Sequence, residues 1–376
     1  MKIIHVCPFI GEQLGGSERY VYNLSKEQVK NQEVHIITTT NYLSRTGTCK
    51  KDGIILHRLY SPSTIWNIDP LCFAISKFFD VRYDILHVHS YLYSLSVQAT
   101  LTKIAQKRKS ILQLHGGVGP PPYKTSFTKL YVKHAYDRSF GKFVIENSDI
   151  VSSVSRKDMQ YVFKHFSVDK KNLRYIPNAV DIKKFSGKKP IETNEKLTFL
   201  YIGDLELWKG LSLIVDWIQS DLVFPCKIRF VGQGSLYPWL NKVKDILKTK
   251  NTGAEIELLG QVPHREIPKI IRNSHALLLP SYWEGMPTVV LEAMACGVPP
   301  IVTNVGDIGY VIENKVNGLI IKRNIQSLNN ALQFLRNNPS IVDKLGISAR
   351  TRIEREFNIK NVSGILHGLY EETLRL

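Results

Sequence analysis

The chain has 376 residues, 43% of them apolar and 22% charged, a balance typical of a soluble globular protein. That length exceeds one ordinary hydrophobic core and favours two domains. Five scattered cysteines without a C-x-x-C pair argue against a disulfide framework or a cysteine zinc site, and fit a reducing cytoplasm.

The net charge of +17 is concentrated in the N-terminal half. Residues 1–185 hold 27 Lys and Arg against 14 Asp and Glu, a net of +13, whereas residues 186–376 hold 23 against 19, a net of +4. From Lys103 to Lys142 there are nine basic residues and one acidic residue. Such a field favours an anionic partner. No nucleic-acid recognition motif accompanies it, so we expect no nucleic acid but a peripheral contact with an anionic membrane, at its inner, cytoplasmic face.

Short β-branched runs alternate with longer helical patterns along the first half. The first run, KIIHVC, predicts a buried strand and not a signal peptide, because its apolar stretch is short and lacks a small-residue cleavage site. The next pattern, SERYVYNLSKEQVK, predicts a helix with Tyr20, Leu24 and Gln28 on one face. Further strands are predicted at EVHIITT, IILHRL, DILHVH, SILQLH and DIVSSV.

The polar stretch DIKKFSGKKPIETNEK then predicts a boundary between domains 1–185 and 186–355. Strands follow at LTFLYIG, CKIRFVG, EIELLG, HALLLP and PPIVT, mostly continuous apolar runs typical of parallel strands covered on both faces. Two such series predict two Rossmann-like, doubly wound α/β domains. A closing helix is predicted within 356–376, where it could pack back on the N-terminal domain. Its apolar stripe comprises Val362, Ile365, Leu366, Leu369 and Tyr370.

The stretch SYWEGMPTVVLEAMACGVPP sets two carboxylates, Glu284 and Glu292, among apolar and small residues. A carboxylate in such a stretch costs free energy unless something pairs with it. Glu284 falls in the loop between a predicted strand and a predicted helix, at the carboxyl edge of the sheet where α/β proteins bind ligands. The free N–H groups at the start of that helix suit a phosphate. The pattern therefore predicts a site for a ligand with phosphates and hydroxyls.

Six segments, in order, resemble those of the family 4 glycosyltransferases, retaining enzymes of the GT-B fold with an E-x7-E signature: GGSERYVYNLS, QLHGG, IPNAVDIKKF, YIGDLELWKG, PSYWEGMPTVVLEAMACGVPPIVTNVG and NGLII. The resemblance implies two Rossmann-like domains facing across a cleft. It also implies transfer of a hexose-type sugar from a UDP- or GDP-sugar to a glycan or lipid-linked acceptor. The product would belong to cell-surface polysaccharide, glycolipid or glycoprotein-glycan biosynthesis.

The same resemblance implies residue roles. Glu292 would bind the donor ribose, Glu284 the transferred sugar, and Lys209 the donor diphosphate. His115 would line the cleft near the transferred sugar, so that His115, Glu284 and Lys209 form the catalytic set. The other donor-binding residues would be Gly16, Gly203, Gly285, Met286, Pro287 and Thr288. The acceptor side would hold Gly15, Ser17 and Glu18.

Some features depart from the family or argue against a metal. Asp204 stands where the family has an arginine that would help Lys209, and VGDIGYVI differs from the usual V-G-G-x-x-E. No D-x-D occurs, and the strand pair His87 and His89 has no third ligand nearby, so we expect no catalytic metal and no cofactor.

Alternatives remain open at this stage. The same architecture hosts sugar-nucleotide epimerases and phosphorylases, and a chain without the arginine could be a catalytically inactive, glycosyltransferase-like binding protein. The basic, aromatic segment GVGPPPYKTSFTKLYVKHAYDRSFGKF either lies on an anionic bilayer or packs its aromatics on the domain.

Overall fold

The computed structural model describes residues 1–8, 15–62, 64–65, 69–70, 72–119, 127–187, 196–250 and 252–376. Parts of the predicted boundary segment (188–195) and of the basic segment (120–126) lie outside these residues.

The chain forms two compact units: residues 1–178 with 359–376, and residues 179–358. The predicted boundary after residue 185 therefore falls inside the second unit. The reason is that Val180 forms a β-bridge with Asn358, and Phe185 is buried with its ring against His264.

The first unit is built on ten strands: β1 (Lys2–Val6), β2 (Glu33–Thr40), β3 (Gly47–Lys51), β4 (Ile54–Tyr60), β5 (Thr64–Ile65), β6 (Asp69–Pro70), β7 (Ile85–His89), β8 (Lys109–Leu114), β9 (Ile150–Ser153) and β10 (Leu173–Tyr175). Eight of them form one sheet in the order β10-β9-β8-β7-β1-β2-β4-β3, and β5 and β6 form a separate ribbon. Neighbours in the large sheet are parallel except β3, which runs antiparallel to β4.

Helices cover both faces of this sheet, which explains why most of its strands are continuous apolar runs. In chain order they are α1 (Gly16–Gln28), α2 (Ile75–Asp80), α3 (Ser94–Ala105), α4 (Phe127–Tyr136), α5 (Lys142–Glu146) and α6 (Arg156–His165), with a π-helical turn at Asp137–Gly141. On α1 the residues Tyr20, Leu24 and Gln28 are buried, as the helical spacing predicts.

The second unit has one six-stranded parallel sheet. Its strands are β11 (Thr198–Ile202), β12 (Lys227–Val231), β13 (Glu255–Gly260), β14 (Ala276–Leu279), β15 (Pro300–Thr303) and β16 (Leu319–Ile321). Its helices are α7 (Leu211–Gln219), α8 (Tyr237–Thr249), α9 (Ile267–Arg272), α10 (Thr288–Ala295), α11 (Ile308–Val311), α12 (Ile325–Asn337) and α13 (Pro339–Glu356). The order β13-β12-β11-β14-β15-β16 is that of a doubly wound sheet, with its switch point between β11 and β14. The prediction of two Rossmann-like α/β domains is confirmed.

The last helix, α14 (Ile359–Arg375), belongs to the first unit, where it packs on α1 and β8. Four of the five predicted stripe residues are buried: Val362, Leu366, Leu369 and Tyr370. Ile365 is 52% exposed and so does not belong to the stripe.

Candidate active site

Glu284 lies in the loop that leads from β14 to α10, at the switch point of the second sheet. Its side chain is 9% exposed, and Oε1 accepts hydrogen bonds from Lys209 Nζ at 2.8 Å and Ser281 Oγ at 2.7 Å. Lys209 follows β11, the strand next to β14, so the two strand ends bring the pair together. The structure thus joins two of the three predicted catalytic residues in one nearly buried ion pair.

Backbone contacts fix the loop that carries Lys209. Gly210 has φ +74°, and a Cβ there would lie 2.0 Å from the carbonyl oxygen of Pro280. The N–H of Tyr282 donates to the carbonyl oxygen of Trp208 at 2.9 Å, and the Lys209 ammonium lies 4.1 Å from the centre of the Trp208 ring. Because the β11 and β14 loops touch through their backbones, the fold places the main chain of Lys209 next to the loop that carries Glu284, and the Trp208 ring and Glu284 hold the ammonium.

The loop that follows β15 holds Glu284 from the other side. Gly306 has φ +55°, and a Cβ there would lie 2.1 Å from the carbonyl oxygen of Glu284 and 2.3 Å from that of Gly285. The N–H of Asp307 donates to the carbonyl oxygen of Gly285 at 3.0 Å. The segment VGDIGYVI, which departs from the family pattern, therefore still has the glycine that this close approach requires. Gly306 had not been predicted as a site residue.

Several predicted donor-binding residues gather at the start of α10. Pro287 is its N-cap in extended conformation, Thr288 is its first residue, and Met286 is buried. The N–H groups of a first helical turn have no partner within the helix and carry the positive end of the helix dipole. They can therefore bind a phosphate, as the sequence pattern predicts.

Asp204, which replaces the arginine of the family pattern, is exposed at the end of β11. Its backbone carbonyl accepts a hydrogen bond from Tyr201 Oη at 2.7 Å. Gly203 precedes it with φ +153°, and a Cβ on Gly232 would lie 2.0 Å from the carbonyl oxygen of Gly203. Because the side chain of Asp204 is exposed to water, its carboxylate lies in surroundings of high dielectric constant, where its repulsion of a phosphate would be weak.

Glu292 is held by a separate set of contacts on α10. Its Oε1 lies 3.0 Å from His264 Nε2, and His264 Nδ1 lies 2.7 Å from Lys184 Nζ. An ammonium only donates hydrogen bonds, so Nδ1 accepts from Lys184 and Nε2 carries the proton that it donates to Glu292. Neither His264 nor Lys184 was predicted, and the only signal was a histidine in the segment QVPHRE that follows β13.

The predicted acceptor-side residues lie together at the start of α1, just after β1. Gly15 is the N-cap, and Gly16, which was predicted to bind the donor, is the first helical residue and thus lies in the first unit. Ser17 Oγ donates to Glu18 Oε2 at 3.0 Å, and that same carboxylate oxygen lies 2.4 Å from where a Cβ of Gly15 would be. A side chain at position 15 would therefore displace the Glu18 carboxylate.

His115 follows β8 and lies inside the first unit. Its Nε2 is 3.0 Å from His89 Nδ1, and its Nδ1 is buried, with Asn178 as a neighbour. Burial lowers the pKa of His115 to about 4, partly offset by Asn178, so the ring is neutral at pH 7. Its place at a strand end agrees with the predicted position, and its catalytic role stays a prediction.

The expectation that His87 and His89 have no third ligand nearby is wrong. His5 on β1 pairs in register with His87 on β7, and ring nitrogens of all three buried histidines lie within 4.8 Å of one another. Among the described residues, these three histidines are the group whose ligand atoms lie close enough together to hold a metal ion. However, His5 Nδ1 and His89 Nε2 are 2.9 Å apart, closer than the roughly 3.3 Å expected for two nitrogens on a tetrahedral zinc ion. The geometry is that of hydrogen-bonded imidazoles.

The basic, aromatic segment divides its aromatic residues between core and solvent. Phe127, Tyr131 and Phe140 are exposed, whereas Tyr136 and Phe143 pack against the core of the first unit. No helix among the described residues combines the length and apolarity needed to cross a membrane.

Comparison with known proteins places the chain in a family. Residues 14–184 match the family model "Glycosyltransferase Family 4", and residues 181–352 match "Glycosyl transferases group 1". An uncharacterized glycosyltransferase of Methanocaldococcus jannaschii is 28% identical over 96% of this chain and 95% of its own length. The UDP-Gal:alpha-D-GlcNAc-diphosphoundecaprenol alpha-1,3-galactosyltransferase of Escherichia coli is 26% identical over 83% of this chain and 84% of its own.

Among solved structures, HepE of Anabaena in complex with UDP aligns over 99% of this chain and all of its own, with a TM-score of 0.77 and 15% identity. At that identity the likeness concerns the fold, which is GT-B. Because the two family models together span residues 14–352 and full-length relatives are glycosyltransferases, the chain belongs to the family 4 glycosyltransferases and is a transferase enzyme.

Proposed function

We propose that this enzyme transfers a hexose-type sugar, with retention of anomeric configuration, from a nucleotide-sugar to a lipid-linked or glycan acceptor in cell-surface polysaccharide, glycolipid or glycoprotein-glycan biosynthesis. The second unit binds the donor and the first unit receives the acceptor. A UDP-sugar is favoured over a GDP-sugar, since the relative from Escherichia coli uses UDP-Gal and HepE was solved with UDP and UDP-glucose. The lipid-linked acceptor is likewise favoured by the diphosphoundecaprenol acceptor of that relative.

The observation that carries this proposal is the Lys209–Glu284 ion pair at the switch point of the donor-side sheet. Without a donor, the two charges satisfy each other. A bound donor offers each a better partner: the diphosphate for the ammonium and the sugar hydroxyls for the carboxylate. As the glycosidic bond breaks, negative charge grows on the diphosphate, and Lys209 together with the N–H groups of α10 stabilises it.

We expect no metal ion in this reaction, because a lysine and a helix N-terminus supply the positive charge that the leaving group needs. Among the described residues there is no evident protein nucleophile for retention. The acceptor hydroxyl would then attack from the leaving-group side, with the donor phosphate as the base. Glu284 would orient the sugar for that attack.

The exposed aromatic residues Phe127, Tyr131 and Phe140 lie in the basic stretch from Lys103 to Lys142. Together with the basic residues of this stretch, they would contact an anionic membrane at its cytoplasmic face and so bring the enzyme to a lipid-linked acceptor. Binding to vesicles of anionic phospholipid, compared with neutral vesicles, tests this. Replacing the three aromatics with serine should weaken binding, and unchanged binding would contradict the contact.

The donor is tested first by thermal unfolding with UDP-, GDP- and ADP-sugars, with and without a chelator. A donor at 100 times its dissociation constant adds about 2.7 kcal/mol of stability, a shift of several degrees. We expect one class of donor to shift the transition in the presence of chelator, and Glu284→Gln to keep most of that shift while losing transfer.

Product analysis distinguishes the alternatives. Product formed without an acceptor would indicate an epimerase, and a requirement for inorganic phosphate would indicate a phosphorylase. A folded protein that no donor stabilises would contradict the proposal and favour a binding protein, with Asp204 the first residue to restore to arginine.

A further inference from the structure

Three side chains of the second unit form a polar row that ends on Glu292. Lys184 Nζ donates to His264 Nδ1 at 2.7 Å, and His264 Nε2 donates to Glu292 Oε1 at 3.0 Å. The histidine and glutamate side chains are 19% and 12% exposed, so little water competes for these contacts. A row so arranged fixes both the tautomer of the imidazole and the direction of the carboxylate.

The row is supported at each end by backbone structure. Lys184 lies in a turn whose N–H groups, those of Lys183 and Lys184, donate to Asp181 Oδ1 at 2.9 Å and 3.3 Å. The ring of Phe185 lies 5.6 Å from that of His264 and holds it from the side. Glu292 is on α10, whose residues Leu291 and Ala293 are buried. The imidazole is therefore positioned by its neighbours and not by the carboxylate alone.

The row leaves Glu292 with capacity for a ligand. In the described part of the chain, His264 is the hydrogen-bond partner of Oε1, and none is found for Oε2. A glutamate side chain has three rotatable bonds and is otherwise free to turn away from a ligand. A single donor on Oε1 restricts that rotation while leaving Oε2 to accept two hydroxyl groups, the pattern that a vicinal diol presents.

We infer that His264 and Lys184 are positioning residues that orient Glu292 toward the ribose 2′- and 3′-hydroxyls of the donor nucleotide, and so make the site selective for ribonucleotides over deoxynucleotides. This rests on the proposed function, in which Glu292 binds the ribose. It goes beyond that proposal because the selectivity depends on two residues that need not touch the donor.

The test is the ratio of dissociation constants of 2′-deoxyUDP or 3′-deoxyUDP to that of UDP, with the guanosine series in parallel, measured by titration calorimetry. For the wild type we expect a ratio of about tenfold or more, the value of one hydrogen bond to a charged group. In His264→Leu the ratio should fall to within about threefold of unity, because UDP loses affinity while the deoxynucleotides do not. His264→Gln keeps an N–H donor, so its ratio of dissociation constants should lie between those of His264→Leu and the wild type.

Lys184→Met should lower the ratio less than His264→Leu, because the imidazole stays but its tautomer is no longer fixed. Lys196→Met is the matched control, since Lys196 pairs with Glu255 in an exposed ion pair of the same unit and should leave the ratio unchanged. A general loss of structure would weaken UDP and deoxynucleotides equally and so would not change the ratio.

The outcomes separate this inference from the function on which it rests. If Glu292→Gln lowers the ratio and His264→Leu does not, the positioning role is wrong and the ribose assignment holds. If Glu292→Gln also leaves the ratio unchanged, the ribose assignment itself is wrong. If the wild type binds UDP and 2′- and 3′-deoxyUDP equally, both are wrong.

Discussion

At the scale of single residues, the ion pair of Lys209 and Glu284 is the contact on which the site depends. The side chains are 14% and 9% exposed, so each charge has lost most of its water and relies on the other. Breaking such a pair by removing one partner costs far more than replacing both, because the remaining charge is left buried without compensation.

We therefore predict that Lys209→Met lowers the free energy of unfolding of the second unit by about 3–5 kcal/mol, and that adding Glu284→Gln recovers most of this loss. Urea unfolding followed by tryptophan fluorescence measures it well, since four of the five tryptophans, Trp208, Trp217, Trp239 and Trp283, belong to the second unit. A double variant no more stable than Lys209→Met would show that the pair is not coupled as described.

Sequence reasoning at this scale succeeded where the chemistry is local and failed where it depends on packing. The position of Glu284 before α10 could be predicted because a strand, a loop and a helix follow one another within the 20 residues from Ala276 to Ala295. His5 could not be matched to His89, because the two are 84 residues apart and meet only through the register of β1 with β7. The contact between His264 and Lys184 was not predicted for the same reason, because 80 residues separate them.

At the scale of elements, the loop after β15 closes on the loop after β14 through Gly306. Any side chain at position 306 must push the backbone of Glu284 aside, since its Cβ would lie 2.1 Å from a carbonyl oxygen. Gly260 provides a matched comparison, because it has φ +64° but no atom within 4 Å of the place that a Cβ would occupy.

We predict that Gly260→Ala costs about 1–2 kcal/mol, the usual penalty of a left-handed alanine, and that Gly306→Ala costs more and abolishes transfer. Melting temperature and initial transfer rates of the two variants check this. Equal stability losses, with transfer intact in both, would mean that the two loops can separate without harm.

The hydroxyl group of Tyr370, on α14, links that helix to α1 and to the first sheet. Tyr370 Oη accepts a hydrogen bond from Gln28 Nε2 at 3.0 Å and is hydrogen-bonded to His87 Nδ1 at 2.7 Å. The buried hydroxyl of Tyr83 has no hydrogen-bond partner within the described chain. The two tyrosines therefore form a matched pair for removing a single oxygen.

Tyr370→Phe should lower the free energy of unfolding by about 1–3 kcal/mol, because it leaves two buried polar groups unsatisfied. Tyr83→Phe removes a buried hydroxyl that has no partner, so it should leave the free energy of unfolding unchanged or raise it. Calorimetric melting of the first unit compares them, and similar values for both would contradict the network.

Elements were predicted best where they are long or wholly apolar. All the strands predicted from apolar runs are present, but β3, β5, β6, β10 and β16 were missed. Every residue of β3 is exposed and it reads GTCKK, so no pattern of burial marks it. β10 and β16 have three residues each, and β5 and β6 have two, too few for a periodic signal.

At the scale of the whole molecule, the two units differ in how they should respond to acid. The described histidines with lowered pKa all belong to the first unit: burial lowers the pKa of His5, His57 and His115 to about 4, and that of His87 and His89 well below its usual range. In the unfolded chain each titrates near 6.5. Between these values the unfolded state binds protons that the folded state does not.

We therefore predict that the first unit loses stability as the pH falls from about 7 to 5, by up to ~1.4 kcal/mol per pH unit for each such histidine, and that it unfolds before the second unit. Above pH 7 this contribution is fully present and constant. Scanning calorimetry at pH 7.5, 6.5, 5.5 and 5.0 should resolve the earlier transition. A second unit that melts first at pH 5 would contradict the prediction.

The return of α14 to the first unit has a consequence for biosynthesis. The residues of α14 leave the ribosome only after the whole of residues 179–358, so the second unit can be complete while the first still lacks a helix. During that interval the buried ends of Gln28 and His87 have no Tyr370 to meet them, and the face of α1 that it covers is open to water. Nascent chains halted before residue 359 should thus expose a hydrophobic surface that a chaperone can bind, although all the described strands of the first unit have already been made.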